Sequence, residues 1–200
     1  MAIRPGIFLR VFPAELPQLE SPRLLLRGLS LSDAEAFQVI CDDPDLAKAT
    51  GMIPSPYPPG EAARWITEQQ ELQALGEHVI FVITLKEAGD VIGNLSFKGS
   101  DAHSKAEIGY IIGKRWWGNG YATEALTLAI QWGFEKTILR RMYAYCFSWN
   151  DASVRVLEKA GFQREGLLRE NFYANGTFES EIVMGLTRTD WENHIAEPHT

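Results

Sequence analysis

The order of apolar and polar residues divides the chain into predicted strands and helices. Short apolar runs bounded by turn residues are typical of strands, and apolar residues spaced three to four positions apart are typical of amphipathic helices. Strands are predicted over 22–29, twice within 78–99 around the turn "EAGD", over 104–113, over 140–149 and twice within 164–187. Helices are predicted over 30–50, over 61–77, from Ala122 onward and over 150–162.

The strongest helical signal begins at Ala122. Its apolar positions follow the spacing of one helix face, and they are Ala122, Ala125, Leu126, Ala129, Ile130, Gly133 and Phe134. Start signals lie at two other helices, where Ser32 or Asp33 and then Asn150 or Asp151 are suitable N-cap residues. Gly161 is a suitable stop for the last of these helices.

Prolines and glycines mark the predicted loops. The segment "GMIPSPYPPGE" (51–61) reads as a loop between two helices, and the helix that follows is expected to stop near Gly76. Asn175–Gly176 is a strong signal for a hairpin turn between the last two strands. The resulting order, β-α-α-β-β-β-α-β-α-β-β, predicts a single α/β (α+β) domain with a mixed, mainly antiparallel sheet flanked by helices.

Charge and composition narrow the functional classes. The net charge of −7 argues against nucleic-acid binding, which needs a basic face, and it would attract a cationic partner. The two cysteines, Cys41 and Cys146, form no CxxC motif and are expected to be buried free thiols. The four histidines lack the spacing of metal ligands, so no metal is expected. No apolar run is long enough to span a membrane, and we expect a cytoplasmic protein.

Two glycines and two tryptophans lie directly before the helix that starts at Ala122, in "KRWWGNGYATEAL" (114–126). A helix N-terminus presents unpaired N–H groups and partial positive charge, and glycines allow an anion to come close. The segment is neither GxGxxG nor a P-loop. On local sequence alone, a phosphate site and a plain glycine turn with both Trp rings in the core remain equal alternatives.

Two separated motifs together resemble the GNAT family of acetyl-CoA-dependent N-acetyltransferases. Residues 115–120 match its pyrophosphate loop, Q/R-x-x-G-x-G/A, and "NDASVRVLEKAGF" (150–162) matches its later N-x-x-[A/S] and EK-x-GF elements. The segments "SPRLLLRGLSLSDAEAF" and "AEIGYIIGKRWWGNGYATEAL" resemble the branch that acetylates ribosomal-protein N-termini. The resemblance covers residues 21–190, which we take as the domain; residues 1–20 are an N-terminal extension and 191–200 a tail.

The resemblance implies that acetyl-CoA lies in a cleft between two splayed parallel strands, about 105–112 and 141–147. Backbone groups near Ile111 and Ile112 would pair with the pantetheine arm as an added strand does. The glycines would make room for the pyrophosphate, and the Trp rings would wall the loop. The cofactor-binding residues implied in this way are Ile111, Ile112, Arg115, Trp116, Trp117, Gly118, Asn119, Gly120, Tyr121, Ala122, Asn150 and Ser153.

Ser153 and Asn150 are the candidate catalytic residues of the second motif. Many family members place a Tyr general acid four residues beyond Ser153, but this chain has Leu157 there, which cannot donate a proton. In the ribosomal-protein branch the Ser acts near the sulfur, so we expect Ser153 to protonate the thiolate. Asn150 would bind the pantetheine arm, with a helix N-cap as the alternative role of an Asn at this position.

The acceptor side needs a base that yields a neutral amine. Glu107 is the candidate, acting directly or through water, with a solvated strand carboxylate as the equal alternative. Tyr110 and Tyr173 are candidate acceptor-site residues, and the amine would enter over the 51–61 loop and the last hairpin. The acceptor is a protein N-terminus or a small amine, the enzyme a monomer or homodimer. A non-catalytic acyl-CoA sensor remains the alternative from another class.

Overall fold

One open sheet organises the computed structural model, which describes residues 11–13, 15–76, 78–100, 103–174 and 176–196. Within these residues the sheet has eight strands in the order β1-β2-β3-β4-β5-β6-β8-β7. They are β1 (Leu19–Glu20), β2 (Leu24–Gly28), β3 (His78–Leu85), β4 (Val91–Ser100), β5 (Lys105–Ile112), β6 (Arg141–Phe147), β7 (Gln163–Ala174) and β8 (Thr177–Thr187). All neighbouring strands are antiparallel except β5 and β6, which are parallel. The predicted α+β class and mainly antiparallel sheet are confirmed.

Helices cover both faces of the sheet. They are α1 (Ala34–Cys41), α2 (Pro44–Thr50), α3 (Glu61–Leu75), α4 (Tyr121–Lys136), α5 (Asp151–Lys159) and α6 (Arg188–Ala196). One core cluster joins α4 and α5 to one face of the sheet, and its members include Phe97, Leu126 and Val154. The second joins α1 and α3 to the other face around Phe37 and Ile66. Both functional motifs therefore lie on helices that are anchored by buried apolar residues.

Local capping explains where the predicted boundaries were correct and where they were not. The helix predicted over 30–50 is two helices, because Asp43 accepts hydrogen bonds from the N–H groups of Asp45 and Leu46 and starts α2 with Pro44 in its first turn. Helix α3 ends at Gly76, as expected. Strand β1 and helix α6 were not predicted as separate elements. Strands β7 and β8 end and begin around the predicted hairpin turn, of which Asn175 lies outside the described residues.

Part of the N-terminal segment packs against the body of the fold. Phe12 is 1% exposed, and its ring stacks on Trp132 with the ring centroids 6.2 Å apart.

Among the residues that the structure describes, no helix is both long and apolar enough to cross a bilayer. Cys41 and Cys146 are free and buried, as predicted.

Candidate active site

The parallel pair β5 and β6 separates along its length and leaves a gap in the sheet. The two strands pair only at their beginnings, where Lys105, Ala106 and Glu107 lie opposite Arg141, Met142 and Tyr143. Beyond these positions each strand continues, β5 to Ile112 and β6 to Phe147, without pairing to the other. The predicted splayed pair is therefore present, and the gap opens towards the loop that precedes α4.

The register of β5 shows which backbone groups face this gap. The Gly113 N–H donates to the Ile92 carbonyl at 2.8 Å, and alternate residues of an antiparallel strand face its partner. Ile111, paired with Asn94, therefore directs its backbone groups at β4. Ile112 and Tyr110 direct theirs into the gap. The expectation that Ile111 offers backbone groups to a ligand arm is corrected by this register, and Tyr110 takes its place.

The opposite edge of the gap is built by β6 in the same way. The Ser148 N–H donates to the Ser180 carbonyl at 2.8 Å, so even-numbered residues of β6 face β8. Tyr145 and Phe147 therefore face the gap, where the Phe147 carbonyl accepts from the Asn150 N–H at 2.8 Å. Backbone polar groups inside a protein need partners. The two edges can supply them to an extended ligand that enters between the strands.

The loop before α4 leaves an open space at a helix N-terminus. Gly120 is the N-cap of α4 with φ +77°, and no side chain caps the first turn. Gly118 has φ +78°, and a Cβ placed there would meet nothing within 4 Å. The Asn119 side chain donates to the Trp116 and Trp117 carbonyls, each at 3.0 Å, and fixes the loop. An open, uncapped helix N-terminus of this kind is suited to an anion.

The two tryptophans and Arg115 take different positions. Trp116 packs against both core clusters, and Arg115 lies over its ring with the guanidinium carbon 3.9 Å from the ring centroid. Arg115 also pairs with Asp90 at 3.2 Å. Trp117 is 43% exposed, and its Nε1–H donates to the Ile112 carbonyl at 2.6 Å. Trp117 therefore forms a wall at the mouth of the gap and occupies one of the backbone groups that face it.

Arg23 is a charged residue at this loop that sequence reasoning missed. Its Nη1 donates to the Asn119 carbonyl at 3.0 Å, and its guanidinium lies 4.7 Å from the centroid of the Tyr121 ring. Arg23 also pairs with Glu124; burial of that carboxyl opposes ionisation, but the hydrogen bonds from Ser21 and Arg23 outweigh it and lower the Glu124 pKa. Arg23 precedes the motif by about one hundred positions in the chain, so local spacing could not reveal it.

Ser153 is the centre of a hydroxyl and thiol cluster at the gap. Its Oγ lies 2.9 Å from the Tyr110 hydroxyl, and it accepts from the Cys146 thiol at 3.4 Å. Burial raises the pKa of Tyr110, against an opposing effect of the hydrogen bond to Ser153. Burial also raises the pKa of Cys146. Both partners therefore stay protonated at neutral pH, and the cluster can donate protons.

The packing of α5 explains how Ser153 is held and why Leu157 stands where many family members have a Tyr general acid. Asn150 caps α5, its Oδ1 accepting from the Ser153 N–H at 3.1 Å, which fixes the first turn. Leu157 is 1% exposed and belongs to the core, so no polar group points from that position. Tyr110 on β5 places a phenol beside Ser153 from a different element. Tyr110, which was predicted as a candidate acceptor-site residue, instead lies beside Ser153.

Glu107 lies on the other face of β5 from Tyr110, because side chains alternate along a strand. Burial raises the pKa of this carboxyl; Lys98 acts against that effect, and Glu181 adds to it. Glu107 and Ser153 therefore lie on opposite faces of the sheet beside the gap. Tyr173, the other candidate acceptor-site residue, is 63% exposed, and its ring packs on Phe178 at the β7–β8 hairpin.

Comparison with known proteins identifies the family. A model of the acetyltransferase (GNAT) domain matches residues 23–163. The chain belongs to the GNAT family. The uncharacterized N-acetyltransferase p20 of Bacillus licheniformis is 32% identical over 174 residues, with 86% of this chain and 97% of p20 covered. The chain is accordingly an acetyl-CoA-dependent N-acetyltransferase, and acetyl-CoA is its co-substrate.

Two solved structures illustrate the GNAT fold with different acceptors in their names. RimL, a ribosomal L7/L12 alpha-N-protein acetyltransferase in complex with coenzyme A, has a TM-score of 0.77 at 20% identity, covering 86% of this chain and 98% of its own. Spermidine N-acetyltransferase from Vibrio cholerae, in complex with CoA and spermine, has a TM-score of 0.75 at 21% identity, covering 86% of this chain and 100% of its own.

Within the described residues, no cluster of His, Cys, Asp or Glu is suited to a metal ion.

Proposed function

We propose that this GNAT enzyme acetylates a primary amine by direct attack in a ternary complex. Acetyl-CoA would lie with its pyrophosphate at Gly118 and Gly120 and its pantetheine arm between β5 and β6. The amine would approach from the face that carries Glu107. The observation that supports this proposal most strongly is the Ser153 cluster, which lies beside the gap between β5 and β6.

The reaction is a balanced acyl transfer. The neutral amine nitrogen attacks the thioester carbonyl carbon, the C–N bond forms and the C–S bond breaks. Glu107, directly or through water, takes the proton that the amine loses. Ser153, hydrogen-bonded to Tyr110, gives a proton to the departing CoA thiolate. After the products leave, Glu107 releases its proton to water and the Ser153–Tyr110 pair regains one from water, which restores the starting protonation state. Acid and base on opposite faces keep the two proton transfers apart, and no covalent enzyme intermediate is needed.

Two acceptor classes fit this site. The resemblance to the ribosomal-protein branch favours a protein N-terminal α-amino group, whose pKa of about 8 makes deprotonation easy. A small cationic amine is favoured by a different observation, an open cavity of about 350 Å³ between α2 and the β7–β8 hairpin that is lined by Trp149 and Glu179. The known activities of RimL and of the spermidine enzyme show that both classes occur among proteins of this fold.

The experiment that tests the proposal is thiol release from acetyl-CoA with N-terminal peptides, polyamines and aminoglycosides as acceptors. Turnover with any amine supports the enzyme, and the preferred acceptor names the class. Calorimetric binding of acetyl-CoA without thiol release across the whole panel would contradict the proposal and favour the acyl-CoA sensor. The Ser153→Ala variant serves as the control for enzyme-dependent release.

A further inference from the structure

A small aromatic cavity lies on the face of the sheet that carries Glu107. Its volume is about 350 Å³, and it is bounded by α2, the 51–61 loop, the end of β6 and the β7–β8 hairpin. Phe147, at the end of β6, is on the same side of its strand as Tyr143, which is paired with Glu107. The cavity therefore opens on the acceptor side of the gap and not on the acetyl-CoA side.

The floor of the cavity is an aromatic platform with one fixed carboxylate. The Trp149 ring stacks on Phe147 with the centroids 5.5 Å apart and the planes at 25°. The Trp149 Nε1–H donates to one oxygen of Glu179 at 3.0 Å, and the Thr177 hydroxyl donates to the other at 3.3 Å. Both donors are neutral, so they orient the Glu179 carboxylate without neutralising its negative charge.

An ammonium group already occupies this platform. The Lys48 Nζ, from α2, lies 5.5 Å from the centroid of the Trp149 ring. Trp is the aromatic residue that attracts cations most strongly through its ring face. Lys48 is solvent-exposed and its side chain is flexible, so a competing cation displaces it at little cost. The contact shows that the cavity has room and chemistry for an alkylammonium group.

One buried carboxylate connects the cavity to the candidate base Glu107. Glu181, which is 8% exposed and is held by the Asn171 amide at 2.6 Å, pairs with Phe147 in the β6–β8 register. Its charge also acts on Glu107. Glu179 in the cavity and the buried Glu181 therefore place negative charge between the cavity and Glu107.

We infer that the acceptor carries a second cationic group, and that this group binds between the Trp149 ring and the Glu179 carboxylate in place of Lys48. The substrate class is a diamine or polyamine in which one amine is acetylated at the gap while another is held in the cavity. This inference rests on the proposed acetyl transfer and adds the recognition of the acceptor. The net charge of −7 is consistent with a cationic substrate.

The test compares linear diamines of three to eight carbons and spermidine with monoamines of equal length, in the wild type and in Glu179→Gln. We expect the wild type to have a KM for the best diamine at least tenfold below that for the matched monoamine, since one cation–π contact and one ion pair are at stake. Glu179→Gln should raise the diamine KM about tenfold and leave the monoamine KM unchanged. Equal KM values for diamines and monoamines in the wild type would overturn the inference while leaving the acetyltransferase proposal intact.

Further variants separate recognition from a structural role. Trp149→Phe keeps a ring and Trp149→Leu removes it, so the diamine KM should rise further in the second variant. Lys48→Met removes the competing ammonium and should lower the diamine KM. A higher diamine KM in Lys48→Met would mean that Lys48 binds an acidic acceptor, and would overturn the inference. Glu87→Gln in the β3–β4 turn makes the same charge change away from the cavity and should match the wild type.

Discussion

At the scale of single residues, Gly118 decides whether the loop before α4 holds phosphates. We expect Gly118→Asp to weaken acetyl-CoA binding at least a hundredfold by calorimetry, because a carboxylate would stand at the helix N-terminus that the pyrophosphate needs. Asn tolerates a positive φ and has the shape of Asp without its charge, so Gly118→Asn should weaken binding far less. Gly89→Asp, at a turn glycine with φ +73° and open space, should bind normally. Equal losses for Asp and Asn at position 118 would remove the electrostatic explanation.

Ser153 and Tyr110 should affect the chemical step rather than binding. Ser153→Ala removes the group next to the leaving sulfur, and we expect kcat to fall about a hundredfold, within the usual range for general acids, with little change in the KM for acetyl-CoA. Tyr110→Phe should lower kcat less, because Ser153 keeps its own proton. Calorimetry on both variants checks that acetyl-CoA still binds. A Ser153→Ala variant with wild-type kcat would exclude Ser153 from the mechanism.

Glu107 gives a pH dependence whose sign follows from its surroundings. Burial raises its pKa above the ordinary 4.5, so the acid limb of kcat/KM should lie above that value, and activity should be lost as the pH falls and the base becomes protonated. Lys98 holds this pKa down, so Lys98→Met should move the limb to higher pH. Glu107→Gln should remove the limb and lower kcat. An unmoved limb in Lys98→Met would assign it to another group.

At the scale of elements, the pairing of β5 with β4 depends on their close approach at Gly93. A Cβ at Gly93 would collide with the Ile111 carbonyl, a backbone atom that cannot turn away. We expect Gly93→Ala to lower the thermal midpoint by several degrees and to weaken acetyl-CoA binding together with it, since β5 forms one wall of the gap. Gly28→Ala, where a Cβ would meet nothing within 4 Å, is the matched control. Gly93→Ala with a wild-type midpoint and affinity would show that β5 needs no close approach.

The elements also show what a sequence can and cannot predict. Periodicity and turn residues predicted the strands, the α4 signature and the end of α3, because these depend on neighbours in the chain. Strand β1 has only two residues and helix α6 a weak apolar face, so their existence depends on the sheet they pack against. The parallel pairing of β5 with β6 came from the resemblance and not from periodicity, which carries no information on strand order.

The candidate site divides in the same way. Gly118, Asn150 and Ser153 belong to local motifs and could be named from the resemblance to the family. The role of Ile111 was assigned incorrectly because strand register decides which backbone groups face the gap, and register is a property of β4 and β5 together. The contact of Tyr110 with Ser153 and the position of Arg23 at Asn119 join residues that are far apart in the chain, so only the folded molecule reveals them.

At the scale of the whole molecule, acetyl-CoA should join two parts of the sheet that share little strand pairing. Strands β1–β5 and β6–β8 meet through only three residue pairs, and both edges of the gap direct backbone groups into it. A ligand that binds the folded state at a hundred times its Kd stabilises it by about 2.7 kcal/mol. For a chain of this size that corresponds to a rise in thermal midpoint of about 5–10 °C.

Hydrogen exchange can show that this stabilisation comes from the gap. With acetyl-CoA bound, we expect slower exchange at the amides of Tyr110, Ile112 and Tyr145, whose register points them at the arm. Adenosine 3′,5′-bisphosphate, which has the nucleotide but no pantetheine, is the matched ligand and should protect only the loop before α4. If both ligands protected the same amides, the arm would not lie between the strands. The two halves of the sheet would then be held together by the protein alone.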